Sequence, residues 1–338
     1  MNADIGERAA TRDPLGRAVR VDIAGEFVPL GIRLRLETNS PSILEAYRTS
    51  FGGYGVAQRA LKTPRFVIRL LVDPAFDEGP PWADPVFRSH DDFFYVCVGR
   101  QNTAIADLRR RLAIGFVAPG MAQDAGFLRK TFLECLTLTM VTHGTGATHT
   151  YVHASAVAMG GQGLLFSGPG ESGKSTLAYA CARRGFQVVT DDVVYLRDGR
   201  NGLIAWGRPW QLHFLSDCAR FFPELKRRTE SLLEANLDKL EIEVEEFLPD
   251  RLQVVCEPAA VFFLDRSGHS TTCEALNPRE AVELLARDMI YDLPEVMEKH
   301  RRSWLQLAQR GSYVLRYGED LDSVVDLLES FVCHGRPA

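Results

Sequence analysis

A glycine-rich segment in the second half of the chain carries residue types that bind phosphate. Its residues, Gly168-Pro169-Gly170-Glu171-Ser172-Gly173-Lys174-Ser175, fit the P-loop pattern G-x-x-x-x-G-K-[ST]. Glycines let successive backbone N–H groups point at phosphate oxygens, and the helix after such a loop adds the positive end of its dipole. Lys174 supplies a mobile positive charge for β and γ phosphates, and the Ser175 hydroxyl is placed to bind Mg²⁺. The segment therefore predicts a site for the phosphates of a nucleotide.

Two other interpretations of this segment are a glycine-rich surface turn and a dinucleotide-binding loop. The dinucleotide fingerprint is G-x-G-x-x-G without the lysine, which disfavours the second. Residue frequencies give a chance match to the P-loop pattern in roughly one such chain in 200. The chain has only six lysines, so a lysine at the required position is informative. Glu171 is expected to face solvent, because a carboxylate aimed at phosphates would repel them.

A P-loop needs a carboxylate for its metal, and the best match is the pair Asp191 and Asp192. They follow the strand-like residues 187–190, one strand after the predicted P-loop helix. A carboxylate there can hold Mg²⁺ directly or through water, and the second can accept the proton of an attacking hydroxyl. A solvated acidic turn is one alternative. Asp265, which follows the apolar residues 261–264, is another candidate for the metal ligand.

Several basic residues could assist at the same site. His153 lies in an apolar strand, where it is either a buried structural histidine or a group close to the phosphates. Lys239 could reach the γ phosphate or could be an exposed lysine, and Arg208 could clamp phosphate or lie on the surface. The spacing of His143, His149 and His153 fits no standard zinc pattern.

The elements around the loop form a strand–turn–strand–loop–helix order. Alternating and continuous apolar residues predict strands over 151–159 and 164–167, joined by a tight turn at Gly160–Gly163. A helix is predicted from Lys174 to Arg184, and Gly185 ends it. A strand over 186–190 then leads to the two aspartates. This order matches the context that the P-loop requires.

The rest of the chain suggests a mixture of helices and strands in two domains. Met121–His143 is predicted to be one long helix, and Ser216 to begin another that runs towards Arg228. The small residues Gly144–Thr148 break the pattern. We therefore predict an N-terminal α+β domain over residues 1–148, for substrate recognition or assembly, and a P-loop catalytic domain over 149–338.

Composition and charge exclude several classes of protein. The 338 residues are 46% hydrophobic and 25% charged, which is typical of globular chains. The net charge of −5 gives no electrostatic footprint for nucleic acid or for an anionic membrane. The seven cysteines are scattered, and the start of the chain lacks the apolar stretch of a signal peptide. These features predict a cytoplasmic protein.

One further comparison comes from the order of motifs between residues 151 and 197. The motifs are, in order, His153-Ala-Ser, a hairpin, the loop ending Gly173-Lys174-Ser175-Thr176, a helix ending Arg183-Arg184-Gly185 and then Thr190-Asp191-Asp192. This order resembles the catalytic core of the bacterial HPr kinase/phosphorylase superfamily. That resemblance implies an α/β P-loop fold related to phosphoenolpyruvate carboxykinase rather than to doubly wound NTPases. It also implies ATP and Mg²⁺ as cofactors, and it leaves a homo-oligomer open.

The same resemblance assigns roles to residues. It implies catalytic roles for Lys174, His153, Asp191 and Asp192. It implies metal binding by Ser175, Asp191 and Asp192. The nucleotide is expected to contact Gly168, Pro169, Gly170, Glu171, Ser172, Gly173, Lys174, Ser175 and Thr176.

The function implied by the resemblance is transfer of phosphate from ATP to a serine hydroxyl. In this respect the chain resembles the HPr-kinase-related proteins found beside peptide-modifying genes more than the HPr enzymes themselves, so the expected acceptor is a peptide or small protein. Two alternatives stay open at this point: a nucleotide-binding regulatory or assembly module with little transferase activity, and a small-molecule kinase of the same fold.

Overall fold

The described residues form two large sheets, one before and one after the bond between Thr148 and His149 in the sequence, and a separate two-stranded sheet in the second half. The structure is a computed structural model that describes residues 19–55, 66–143, 149–199, 202–234, 239–268, 270–287 and 294–334. Contacts between Cα atoms divide the chain into two units, Met1–Thr148 and His149–Ala338. Both units combine helices with a sheet, so the chain has the mixed α/β composition that its sequence predicts. The predicted break at Gly144–Thr148 lies outside the described residues.

In the first unit, seven of the described strands form one sheet. They are β1 (Ile23–Phe27), β2 (Leu34–Thr38), β3 (Phe66–Val72), β4 (Val86–His90), β5 (Phe93–Val98), β6 (Asn102–Asp107) and β7 (Leu112–Val117), in the order β1-β2-β3-β7-β6-β5-β4. Leu34, Leu36 and Thr38 of β2 are buried and the residues between them are partly exposed, as expected for a sheet covered on one face. Helix α1 (Pro41–Phe51) contacts β1 and β2.

The prediction of one long helix over Met121–His143 is wrong. The structure has α2 (Pro119–Gln123), α3 (Ala125–Leu128), a π-helical segment (Arg129–Glu134) and α4 (Cys135–His143). Asp124 interrupts the first turns with a ψ of 77°, and its Oδ1 accepts the N–H of Phe127 at 3.1 Å. Aspartate favours this capping geometry over a helix interior, so a new helix begins after it.

In the second unit, eight of the described strands form the main sheet. They are β8 (Thr150–Met159), β9 (Gln162–Ser167), β10 (Gln187–Thr190), β11 (Val193–Gly199), β12 (Gly202–Trp206), β15 (Val255–Asp265), β16 (Thr272–Ala275) and β17 (Ser312–Arg316). The strands β13 (Gln211–Leu215) and β14 (Lys239–Glu243) form a separate antiparallel pair. β9 and β17 are both parallel to β15, on opposite sides of it.

Strand β8 joins the two parts of this sheet. Along one side it is paired with β9, and along the other with β10 and then β11, which are interrupted at Asp191 and Asp192. β11 continues to β12, β12 to β15 and β15 to β9, so five strands are paired in a closed cycle. The positions of the P-loop and the aspartates are thus set by hydrogen bonds to one strand.

Helices cover both faces of β9. The α-helices of the second unit in the described ranges are α5 (Lys174–Arg183), α6 (Lys226–Glu234), α7 (Val244–Phe247), α8 (Pro278–Ala286), α9 (Pro294–Arg310) and α10 (Leu321–His334). Leu164 and Phe166 belong to the core that includes residues of α5 and α10, whereas Leu165 belongs to the core that includes Trp304 of α9. Burial on both faces explains why β9 is a continuous apolar run. No helix in the described ranges is long and apolar enough to cross a membrane.

The predicted helix from Ser216 towards Arg228 is also wrong. Residues Ser216–Arg220 and Pro223–Leu225 form short 3₁₀ turns before α6 begins at Lys226. Phe222 has a non-helical backbone conformation, with φ −129° and ψ 85°. A residue before proline is driven out of the helical region by the proline ring, so Pro223 ends the first turn.

We expect Phe222→Ala to reduce the free energy of unfolding by about 3–5 kcal/mol, the usual cost of truncating a buried phenylalanine. Phe222 is 1% exposed and its ring centroid lies 4.6 Å from that of Tyr179 on α5. The measurement is urea-induced unfolding of the full chain. Leu215→Ala is the control, since Leu215 is 36% exposed and should lose far less. Equal losses in both variants would contradict the packing described here.

Candidate phosphate-binding site

The glycine-rich loop connects the end of β9 to the start of α5. Ser167 is the last residue of β9 and pairs with Phe263 of β15. The loop therefore begins at the end of the sheet where both parallel strands terminate. Gly173 is the N-cap of α5, and its carbonyl accepts the first helical hydrogen bond, from Leu177 at 2.9 Å. The loop is therefore placed between a strand terminus and the positive end of a helix, as an anion-binding loop requires.

Left-handed backbone conformations shape this loop. Glu171 has a φ of 65° and Gly173 a φ of 91°. Such conformations turn successive N–H groups towards one concave side. The position of Gly173 also excludes a side chain, because a Cβ there would lie 2.8 Å from the Tyr317 hydroxyl and 3.3 Å from Cδ of Arg266. Glu171 is exposed, in agreement with the electrostatic expectation for it.

Lys174 folds back over the beginning of the loop. Its Nζ donates hydrogen bonds to the carbonyl oxygens of Gly168 at 2.8 Å and of Pro169 at 3.0 Å. Its own carbonyl accepts a hydrogen bond of 3.0 Å from the Ser155 hydroxyl on β8. The ammonium group of Lys174 is thus bonded to the loop, and the backbone of the same residue is bonded to β8.

Asp192 and His153 lie beside the end of β9, where the loop begins. The N–H of Ala154 donates to the carbonyl of Asp192 at 3.0 Å, and Ala154 is paired with Ser167 on its other side. Nδ1 of His153 lies 3.2 Å from Oδ1 of Asp192. The strand pairing therefore brings His153 and Asp192 together beside the residue that precedes the loop, and the charge of Lys174 also lowers the pKa of Asp192.

The Asp192 carboxylate is ionised and accessible. The hydrogen bond with His153 lowers its pKa most, and the positive charges of His153, Lys174 and His213 lower it further against the effect of burial. Its side chain is 68% exposed. An exposed carboxylate next to the P-loop lysine can accept a proton from a bound molecule.

Asp191 has different surroundings from its neighbour. Its Oδ2 accepts the backbone N–H of His213 at 2.8 Å and lies 3.0 Å from Nδ1 of the same residue. Its Oδ1 is shielded from solvent and has no hydrogen-bond partner in the described part of the chain. Asp191 is therefore buried and hydrogen-bonded, whereas Asp192 is exposed.

His213, on β13, contacts two acidic residues: Asp191, which lies between β10 and β11, and Glu241 on β14. Its Nε2 lies 3.3 Å from Oε2 of Glu241, while Nδ1 contacts Asp191. The bond to Asp191 raises the pKa of His213 most, and the charges of Asp191 and Glu241 raise it further, although burial opposes them. His213 is a site residue that sequence reasoning missed, because only the tertiary structure places it beside Asp191.

Other predicted residues have different environments. Asp265 is near the loop in the sheet, but its carboxylate contacts Arg316 at 3.3 Å and the N–H of Ser267 at 3.0 Å. Lys239 begins β14 and is exposed. Arg208 is half-buried and follows Gly207, where a Cβ would overlap the carbonyl of Val189. The segment after β12 therefore passes directly against the end of β10.

Comparisons with known proteins add little to this geometry. No protein-family model and no curated protein sequence matches the chain. Among solved structures, it is similar to the HPr(Ser) kinase/phosphatase from Coxiella burnetii, with 16% identity and a TM-score of 0.30, over 54% of this chain and 93% of that chain. The function proposed below therefore rests on the loop and its neighbouring side chains.

We expect His213→Asn to remove a pH-dependent part of the stability. A raised histidine pKa stabilises the folded protein fully below its unfolded value of about 6.5, and this contribution is lost as the pH rises through the folded value. The loss of stability on substitution should therefore be greatest near about pH 5.5 and shrink above about pH 7. The measurement is urea-induced unfolding across this range, in buffer containing EDTA.

His90→Asn is the matched control, because the His90 ring is 89% exposed. Its effect on stability should be small at every pH. A loss for His213→Asn that grows with pH would contradict the charge pairing of His213 with Asp191 and Glu241.

Proposed function

We propose that this chain is an ATP-dependent kinase that transfers the γ-phosphoryl group to a hydroxyl, and that the acceptor is a serine of a peptide or small protein. One observation carries the proposal: the exposed carboxylate of Asp192 contacts His153 at 3.2 Å, and the Asp192 backbone is bonded to Ala154, which pairs with the last residue before the loop. A phosphate-binding loop alone would serve any nucleotide-binding protein. A proton acceptor beside it favours transfer to a hydroxyl.

The loop supplies the phosphate-binding part of this function. The N–H groups after Gly173 stand at the start of α5, where they and the helix dipole favour negative charge. Lys174 would exchange its bonds with the carbonyls of Gly168 and Pro169 for the oxygens of the β and γ phosphates. Ser172 adds a hydroxyl that is shielded from solvent and has no hydrogen-bond partner in the described ranges.

The residues present fit a bound Mg²⁺ ion. Asp191 has a buried carboxylate oxygen that no described donor satisfies, and hard carboxylate and hydroxyl oxygens are the ligands that Mg²⁺ prefers. No group of three or more His, Cys, Asp or Glu side chains in the described ranges could hold a metal ion. Mg²⁺ needs no such group, because one or two carboxylates, waters and the nucleotide phosphates complete its coordination. Ser175 and Asp191 would hold it, with Asp192 as a further ligand or the base.

Bound Mg²⁺ would neutralise charge on the phosphates. Proton removal and the orientation of the reacting groups would be functions of this protein's own side chains.

Proton removal from the acceptor is assigned to Asp192. The hydroxyl oxygen would form a bond to the γ phosphorus, the bond to the β,γ-bridging oxygen would break, and the hydroxyl proton would pass to the carboxylate. A carboxylate with a low pKa is a weak base. Phosphoryl transfer depends mainly on positioning and on charge stabilisation, so a weak base suffices. His153 would orient the carboxylate through its 3.2 Å contact.

We expect Lys174→Ala to reduce the affinity for Mg-ADP by at least tenfold, about 1.4 kcal/mol, because the main side-chain cation for the phosphates is lost. Isothermal titration calorimetry measures this directly. Lys226→Ala is the control, since Lys226 is an exposed lysine at the start of α6. Tight binding by Lys174→Ala, or no binding by the wild type, would overturn the assignment of the loop.

We expect Asp192→Asn to bind Mg-ADP but to lose phosphotransfer by at least a hundredfold, in line with the contribution of a positioned proton acceptor. The measurements are the gain in mass of serine-containing peptides incubated with ATP, and the slow hydrolysis of ATP without a peptide. Asp265→Asn is the matched control, because Asp265 is the rival carboxylate. Full activity in Asp192→Asn together with loss in Asp265→Asn would reverse the two roles. ATP binding without transfer to any peptide or to water would favour a regulatory module.

A further inference from the structure

The C-terminal strand β17 reaches the phosphate-binding loop through one side chain. Tyr317 follows the end of β17, and its hydroxyl donates a hydrogen bond of 3.1 Å to the carbonyl oxygen of Ser172. The ring is 1% exposed. The loop and Tyr317 are thus in direct contact although 145 positions separate Ser172 from Tyr317 in the sequence.

The position of Tyr317 is fixed by a backbone hydrogen bond and by burial of its ring. Its N–H donates to the carbonyl of Asp265 at 3.0 Å, which continues the pairing of β17 with β15. Burial raises the pKa of Tyr317 to about 12, so its hydroxyl keeps its proton and remains a donor at neutral pH. A buried ring on an anchored backbone gives that donor one direction.

The carbonyl it contacts belongs to a peptide bond whose orientation matters for anion binding. In a planar trans peptide, the N–H of Gly173 points opposite to the carbonyl of Ser172. Fixing the oxygen against Tyr317 therefore directs the Gly173 N–H to the opposite side of the peptide. Without that bond the peptide could rotate, because glycine tolerates either sign of φ. Rotation would replace a donor in the loop by a carbonyl oxygen, which repels phosphate.

We propose that Tyr317 is a positioning residue that orients the Ser172–Gly173 peptide so that the loop binds phosphate. This inference rests on the proposed function, because it concerns the same loop, but it assigns a role to a residue outside the P-loop motif. The role belongs to the hydroxyl and not to the ring, so removal of one oxygen atom tests it.

The test compares wild type, Tyr317→Phe and Tyr179→Phe. Tyr179 is the matched control, since it is a buried tyrosine on α5 whose hydroxyl contacts Glu224 at 3.3 Å. Calorimetric titrations measure the affinity for Mg-ADP and, without metal, for inorganic pyrophosphate. Loss of one hydrogen bond should weaken both affinities about threefold to tenfold in Tyr317→Phe. Tyr179→Phe should stay within about twofold of the wild type.

Urea-induced unfolding of the same variants separates positioning from simple stability. If Tyr317 is only a structural residue, Tyr317→Phe will unfold at lower urea while the folded protein keeps wild-type affinity, and the inference fails. Equal weakening in both variants also overturns it. Absence of any binding by the wild type overturns the proposed function and this inference together. Wild-type binding with an unchanged Tyr317→Phe overturns this inference alone.

Discussion

The candidate site depends on the hydrogen bonding of one short stretch of β8. Ala154 is bonded through its N–H to Asp192 on one side and is paired with Ser167, the residue before the loop, on the other. The Ser167 hydroxyl also donates to the carbonyl of His153 at 3.3 Å, and Ser155 bonds the carbonyl of Lys174. Backbone pairing and these two serine hydroxyls therefore bring a histidine, an aspartate and the lysine of the loop to the same strand. A shift of one residue in this register would turn His153 to the opposite face and separate it from Asp192.

The two adjacent aspartates show how one break in a strand can create two chemical environments. Asp192 is exposed and has its pKa lowered by His153 and Lys174. Asp191 is buried, contacts His213 through one oxygen and leaves the other without a described partner. A proton acceptor must be reached by its substrate, and a metal ligand must be dehydrated and held. The different burial of the two carboxylates supports assigning the first role to Asp192 and the second to Asp191.

Helix α5 is held at both ends by the C-terminal segment of the chain. At its start, Tyr317 bonds the loop, and at its end Arg184 contacts Asp326 at 2.8 Å and Glu329 at 3.0 Å on α10. The residues of α10 also share the core that contains Leu177 and Phe166. A loop whose N–H groups must be oriented before an anion arrives benefits from such a frame, because no binding energy is then used to order it.

Sequence alone was sufficient for the local features. The P-loop pattern, the turn at Gly160 and Gly161, the strand before the loop and the helix after it all depend on glycine conformation and apolar periodicity, which are properties of neighbouring residues. Sequence analysis failed where a local break signal competed with an apolar pattern: Asp124 and Pro223 interrupt apolar patterns that suggested continuous helices. It also missed His213 and Tyr317, because neither belongs to a motif and only the tertiary structure places them beside Asp191 and Ser172. Local chemistry thus determined which residues could bind phosphate, and the tertiary structure decided which side chains contact them, since those contacts join positions far apart in the chain.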